Sequence, residues 1–174
     1  MKRPLQAKKV SLEAAERQLD RTQEFFLRID SKVSALFAIT SAQVAIVALN
    51  ITYVDLKAIW LAFTTAFFVL AIGWTIFNLY RCTYPNLGGG KSSLVYFSEI
   101  SKLEEDDFSE KYSTLTEEEL MVDILSQVWR NSTIVAAKYG YLKQATISAI
   151  ISIIPWGVIL LATSITHSKI PMLQ

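Results

Sequence analysis

Three groups of residues in this chain have types and spacings that could do chemistry. The first is Gly88-Gly89-Gly90-Lys91-Ser92-Ser93, which resembles the end of a phosphate loop, with glycines that bare backbone N–H groups before a lysine. The full loop needs a glycine five places before its last one, where Pro85 stands, and it should follow a strand rather than a long apolar run. That excludes a nucleotidase. Two readings stay open: a phosphate held by Lys91 and exposed N–H groups, or a plain hinge between helices. The second group is Thr40, Gln43 and Asn50, polar residues inside a charge-free run. At 100° per residue they fall within an arc of about 80°. Polar groups at membrane depth face other helices or water, so this arc serves either as inter-helix glue or as the wall of a conduit shared by several subunits. The third group is acidic: Asp106 and Asp107 lie in a polar stretch where solvated charge is the default. With one histidine, His167, and one cysteine, Cys82, the chain has no Ser-His or Cys-His machinery, no intrachain disulfide and no metal-ligand spacing. We therefore expect no catalytic residue, no metal, no cofactor and no enzyme.

The elements that must position these groups follow from the distribution of charge. Hydrophobic residues make up 52% and charged residues 19% of 174. Three long runs lack Asp, Glu, Lys and Arg: 33–54, 58–80 and 144–168, of 22, 23 and 25 residues. A bilayer core of about 30 Å takes roughly 20 helical residues, so each run is long enough to span. Backbone polar groups in hydrocarbon must be satisfied locally, which makes the spans helical. Lysines and arginines number eight before the first run, one in the first loop, seven between the second and third runs, and one after the third. That alternation puts the N-terminus and the central segment inside and the C-terminus outside. The first 32 residues are too charged for a signal peptide. A net charge of +1 gives no global argument for nucleic acid.

The chain thus reads as all-α, an integral membrane protein of three transmembrane helices. Residues 1–32 form a cytosolic helix, 33–80 a transmembrane hairpin, 81–143 a small helical cytosolic insert, 144–168 the third span and 169–174 an external tail. Leu12, Leu19, Phe26 and Val33 are spaced by seven, with Ala15, Thr22, Ile29 and Leu36 between them, a coiled-coil-like seam running into the first span. Asp55-Leu56-Lys57 makes a tight turn between the first two spans. In the second span, Thr64, Ala71, Thr75 and Asn78 lie on one face. In the insert, Ser92 or Ser93 caps a short helix through Leu103, and Glu104 to Asp107 form an acidic break. Thr116 with Glu119 makes a capping box. An apolar face through Leu120, Ile124, Val128, Val135, Tyr139 and Leu142 leads to the third span, with Gly140 and Pro155 as bend points.

Several segments resemble a known family. They are Ile29-Asp30-Ser31-Lys32 leading the first span, the loop with Pro85 after the second, Leu94-Val95-Tyr96-Phe97-Ser98-Glu99-Ile100-Ser101-Lys102-Leu103, Leu115-Thr116-Glu117-Glu118-Glu119-Leu120, and Gln127-Val128-Trp129-Arg130-Asn131-Ser132 followed by Lys138-Tyr139. In order and spacing they resemble the transmembrane effectors of bacterial Pycsar-type anti-phage defence. The resemblance implies a multi-pass protein of the bacterial inner membrane that impairs that membrane on infection. Its control would come from a cyclic nucleotide or oligonucleotide made by a partner nucleotide cyclase or nucleotidyltransferase. The seam that turns polar inside the bilayer makes a homo-oligomer, with a tetramer favoured, the preferred reading: the N-terminal helices bundle in the cytoplasm and extend as inner pore helices, and the insert senses the ligand. Candidate ligand contacts are then Lys91, Ser92, Lys102, Arg130 and Lys138 for phosphate, with Tyr96, Trp129 or Tyr139 for base stacking. A non-conducting scaffold that recruits a cytosolic partner is the alternative.

Overall fold

A computed structural model describes residues 10–84, 90 and 92–168, with side chains through Thr166. Five helices appear in this order: α1 (Leu12–Asn50), α2 (Ile59–Thr83), α3 (Phe97–Ile100), α4 (Glu105–Ser113) and α5 (Glu117–Ser168). No strand occurs among the described residues. The chain divides into two compact units, Met1–Leu27 with Pro85–Ala136, and Arg28–Tyr84 with Ala137–Gln174. α1 and α5 contribute to both.

The Ser11 hydroxyl accepts the Ala14 N–H at 3.3 Å and starts α1, which then runs as one helix through the first span, as the absence of Pro and Gly predicts. Its seven-residue stripe is the buried one. Ala15 and Thr22 are buried in the first unit, and Ile29, Thr40, Gln43 and Val47 in the second. The seam is therefore covered within a single chain. α1 ends before the connection to α2, where one turn of 3-10 helix covers Asp55–Lys57. The buried Asp55 carboxylate accepts the Thr52 N–H at 2.8 Å and the Thr52 hydroxyl at 2.7 Å, which closes the turn.

In the second unit, Val47, Leu61, Phe68, Ile72 and Ile159 form a core that Ile51, Ala58, Trp156 and Ala162 extend. α2 buries Ala71, Thr75 and Asn78 and exposes Trp60, Phe63, Phe67, Trp74 and Phe77, so its small polar face packs and its aromatic face looks outward. The polar side chains in the spans largely satisfy themselves. Thr64, Thr65, Thr75 and Asn78 all donate to carbonyls four residues back, at 2.8–2.9 Å. α5 stays helical through both Gly140 and Pro155. The outward surface includes Phe37, Ile39, Leu49, Phe63, Leu70, Ile154 and Leu161, all exposed. Apolar surface that continuous belongs against lipid. α1, α2 and α5 are each long and apolar enough to cross a membrane.

The insert departs from two sequence expectations. Glu105, Asp106 and Asp107 form the first turn of α4 and are no break at all. Carboxylates there complement the positive end of the helix dipole, which the spacing of charges alone did not reveal. The helix expected from Ser92 or Ser93 through Leu103 shrinks to Phe97–Ile100, because the Ser93 hydroxyl binds the N–H groups of Val95 and Tyr96 in a turn ahead of it. Thr116 and Glu119 form the reciprocal bonds of a capping box. The Glu119 N–H donates to Thr116 Oγ1 at 3.3 Å, and the Thr116 N–H donates to Glu119 Oε2 at 2.9 Å.

Candidate functional site

In the first unit a tight turn builds the site. Gly90 and Ser92 both adopt left-handed backbone, at φ 76° and 62°. A side chain at Gly90 would be strained, because a Cβ would lie 2.9 Å from Tyr96 Cδ1 and 3.3 Å from Gln127 Nε2. The chain is then pinned to α5. Gln127 Nε2 donates to the buried Ser93 Oγ at 3.2 Å, and the Leu94 N–H donates to Asp123 Oδ2 at 2.8 Å.

Beside this turn lies a cleft of about 530 Å³, lined by Ser92, Ser93, Leu94, Glu99, Lys102, Leu103, Lys111, Thr114, Leu115 and Glu119. Its volume falls in the range of about 300–1,000 Å³ common for small-molecule sites. Glu99 organises its charge. The carboxylate accepts the Lys102 ammonium on Oε1 and the Ser92 N–H on Oε2 at 3.1 Å. Lys102, and after it the Ser92 N–H, hold the Glu99 carboxyl below the usual carboxylate range. The Thr116 N–H and hydroxyl do the same for Glu119. Both carboxylates are ionised at neutral pH, balanced by Lys102 and Lys111, while Leu94, Leu103 and Leu115 supply apolar wall. Such a lining can hold a compact ligand that is anionic at one end and flat or apolar at the other.

The candidate ligand residues named from the sequence are distributed over both units. Ser92 and Lys102 line the cleft. Tyr96 and Arg130 pair in the same unit, the guanidinium 4.9 Å from the ring centroid. Arg130 Nε and the buried Gln127 Oε1 have no hydrogen-bond partner among the described residues. Trp129 is 72% exposed and takes no part in the lining. Lys138 and Tyr139 belong to the second unit, where Lys138 lies 3.6 Å from Asp30 and Lys32 sits 5.8 Å over the Tyr139 ring. Lys32, and Arg81 stacked 4.5 Å from the Tyr141 ring, rest on aromatic surface near the span ends, as headgroup anchors do, whereas Lys138 pairs with Asp30. Lys91 lies outside the described residues.

Thr40, Gln43 and Asn50 of the polar arc each have a hydrogen-bond contact within the chain. The Thr40 hydroxyl donates to Leu36 O at 2.9 Å. The Ser152 hydroxyl donates to Ala149 O at 2.7 Å and lies 3.3 Å from Gln43 Oε1, with both side chains buried. The Asn50 amide donates to Ile46 O at 2.7 Å. A second buried bond joins α5 to α2, from the Ser148 hydroxyl to Ala71 O at 2.7 Å.

Sequence reasoning missed Glu99 and Lys111 in the cleft, Asp123 and Gln127 beneath the turn, and Ser148 and Ser152 in the third span. A signal existed for the last four. Asp123 and Gln127 are four apart beside the apolar face of α5, and Ala145, Ser148, Ala149 and Ser152 repeat the small-residue spacing of membrane helix contacts.

No curated protein and no solved structure matches the chain. A family model described as the Pycsar effector protein domain matches residues 14–163, a stretch that takes in the first two spans, most of the third and the cleft. The resemblance of the motifs and the match agree: the chain belongs to the Pycsar effector family, the membrane effectors of anti-phage defence.

Proposed function

We propose that this protein is a nucleotide-gated effector that permeabilises the bacterial inner membrane, arresting growth or killing the cell when infection is sensed. The observation that carries the reading is the match of the effector domain across three membrane-crossing helices. The signal is a cyclic nucleotide, or an oligonucleotide, made by a partner cyclase or nucleotidyltransferase. The cleft is its seat, which the two lysines, the Ser92 N–H and the leucine wall support. The protein acts by binding and assembly, without catalysis; a single histidine and a single cysteine in the whole chain favour this. The distribution of lysine and arginine supports a cytoplasmic N-terminus and insert and an external C-terminus.

Conduction requires several copies, since three spans enclose no useful pore alone. The face of α1 opposite its buried stripe supports a homo-oligomer, of which a tetramer is one form. Ser34, Ala38, Ser41, Ala45 and Ala48 recur there at intervals of three and four, all exposed. Small residues let membrane helices approach closely. An assembly on this face would turn Ser34 and Ser41 inward, while Gln43 stays inside its own protomer. The burial of Thr40 and Gln43 also favours the second reading, a non-conducting scaffold for a cytosolic partner, because it takes the most polar side chains away from any shared axis. Dye uptake on co-expression with the partner cyclase separates the two. Uptake supports the effector, and growth arrest with an intact, polarised membrane supports the scaffold.

A further inference from the structure

We propose that the Glu99 carboxylate occupies the seat of the ligand's phosphodiester, so that the free protein carries its own surrogate anion and the ligand binds by displacing it. The proposal rests on the reading of the cleft as the nucleotide site, and it names the chemistry recognised there. A nucleoside 3′,5′-cyclic monophosphate carries one negative charge shared by two non-bridging oxygens. A carboxylate offers the same pattern. Glu99 spends its two oxygens on two different donors, Oε1 on the Lys102 ammonium and Oε2 on the Ser92 N–H. Both are donor types that hold phosphates.

The Ser92 N–H is presented by backbone at φ 62°, a conformation that L residues rarely adopt. The turn that imposes it is fixed from behind by Gln127 and Asp123. The donor is thus pre-set, and Glu99 is its acceptor from seven residues on in the chain. The lining sets two carboxylates, Glu99 and Glu119, against two ammoniums, Lys102 and Lys111, and Arg130 also acts on Glu99 from outside the lining. An incoming diester of one charge replaces the charge of Glu99 if that side chain swings out to water, so these cations keep the same count of anions. Lys111 lines the same cleft and can follow the phosphate, and Leu94, Leu103 and Leu115 meet the base.

The test uses the full chain in maltoside detergent, titrated calorimetrically with the 3′,5′-cyclic monophosphates of the four common nucleosides. Where wild type binds one of them, Glu99→Gln and Glu99→Ala should bind it about tenfold tighter or more, and Lys102→Met about tenfold weaker. Equal or weaker binding by both Glu99 variants, at wild-type helix content, overturns the surrogate while leaving the nucleotide site standing. Absence of binding by wild type and variants alike overturns both. Inorganic phosphate should not compete at matched concentration, and competition by it would overturn the assignment to a diester. Phospholipid headgroups carry the same diester, so the titration is repeated in phosphatidylglycerol nanodiscs. Retained affinity is expected, and its loss there would assign the seat to lipid and overturn the nucleotide.

Discussion

Replacing Gly90 with alanine should loosen the turn that shapes the cleft. Two costs add. A left-handed conformation costs an L residue about 1–2 kcal/mol. The new Cβ would also stand 2.9 Å from Tyr96 Cδ1, so the ring must retreat by about half an ångström to reach ordinary contact. The ring is not free to do so, because it packs edge-on to Phe97 with centroids 5.0 Å apart and carries Arg130 on its face at 4.9 Å. Against these stands the loss of unfolded-state entropy, which favours alanine by about 0.4–1 kcal/mol. The balance is a local destabilisation of about 1–2 kcal/mol, close to a tenfold rise in opening. Hydrogen exchange reads it directly at two amides held by the turn, Leu94 on Asp123 and Tyr96 on Ser93. Both should exchange about tenfold faster, while amides in the core of α2 keep their protection. Unchanged exchange at Leu94 and Tyr96 in a folded variant would refute the packing argument.

Gly140→Ala should act in the opposite sense: nothing lies within 4 Å of the added methyl, and a helix interior favours alanine by about 0.8–1.0 kcal/mol, readable as a raised unfolding midpoint in detergent. Gln43→Leu removes the contact with Ser152 and should cost about 0.6–1.7 kcal/mol of bundle stability in a steric-trapping measurement, with no loss of ion flux. Ser41→Leu, on the exposed face, should leave the protomer stable and shift the oligomer toward monomer in native mass spectrometry. The depressed carboxyls of Glu99 and Glu119 set an acid limit. Their stabilisation is complete above the ordinary glutamate pKa of about 4.3 and is lost as pH falls below it through the native values. Protection of the Thr116 and Glu119 amides should therefore drop in that window, and in Glu119→Gln that dependence should vanish.

The spans were legible because membrane depth imposes a rule on every residue: no charge for over twenty positions, and polar groups turned inward. Hence of Thr64, Ala71, Thr75 and Asn78, read as one face of α2, the last three are buried and Thr64 is half-buried, and the stripe through Ile29, Thr40 and Gln43 is buried. The cleft was far less legible. It draws on residues from Ser92 to Glu119 that lie in a turn, two short helices and the start of a third, with no period linking them. Glu99 and Lys102 read in sequence as an ordinary surface pair three apart. What sets them apart is the Ser92 N–H, whose direction depends on left-handed backbone that no side chain there announces. The division of α5 was equally beyond sequence: one uninterrupted helix carries Arg130 in the first unit and Lys138 and Tyr139 in the second.

If a cyclic nucleotide makes this protein breach a membrane, the breach should be visible with purified components alone. Purified full-length chain is reconstituted into liposomes loaded with a self-quenched dye and exposed in turn to the four nucleoside 3′,5′-cyclic monophosphates. Dye release is expected with the nucleotide that binds in detergent, and none with protein or nucleotide alone. Liposomes that stay sealed while that nucleotide demonstrably binds the inserted, helical protein would contradict it and leave the scaffold.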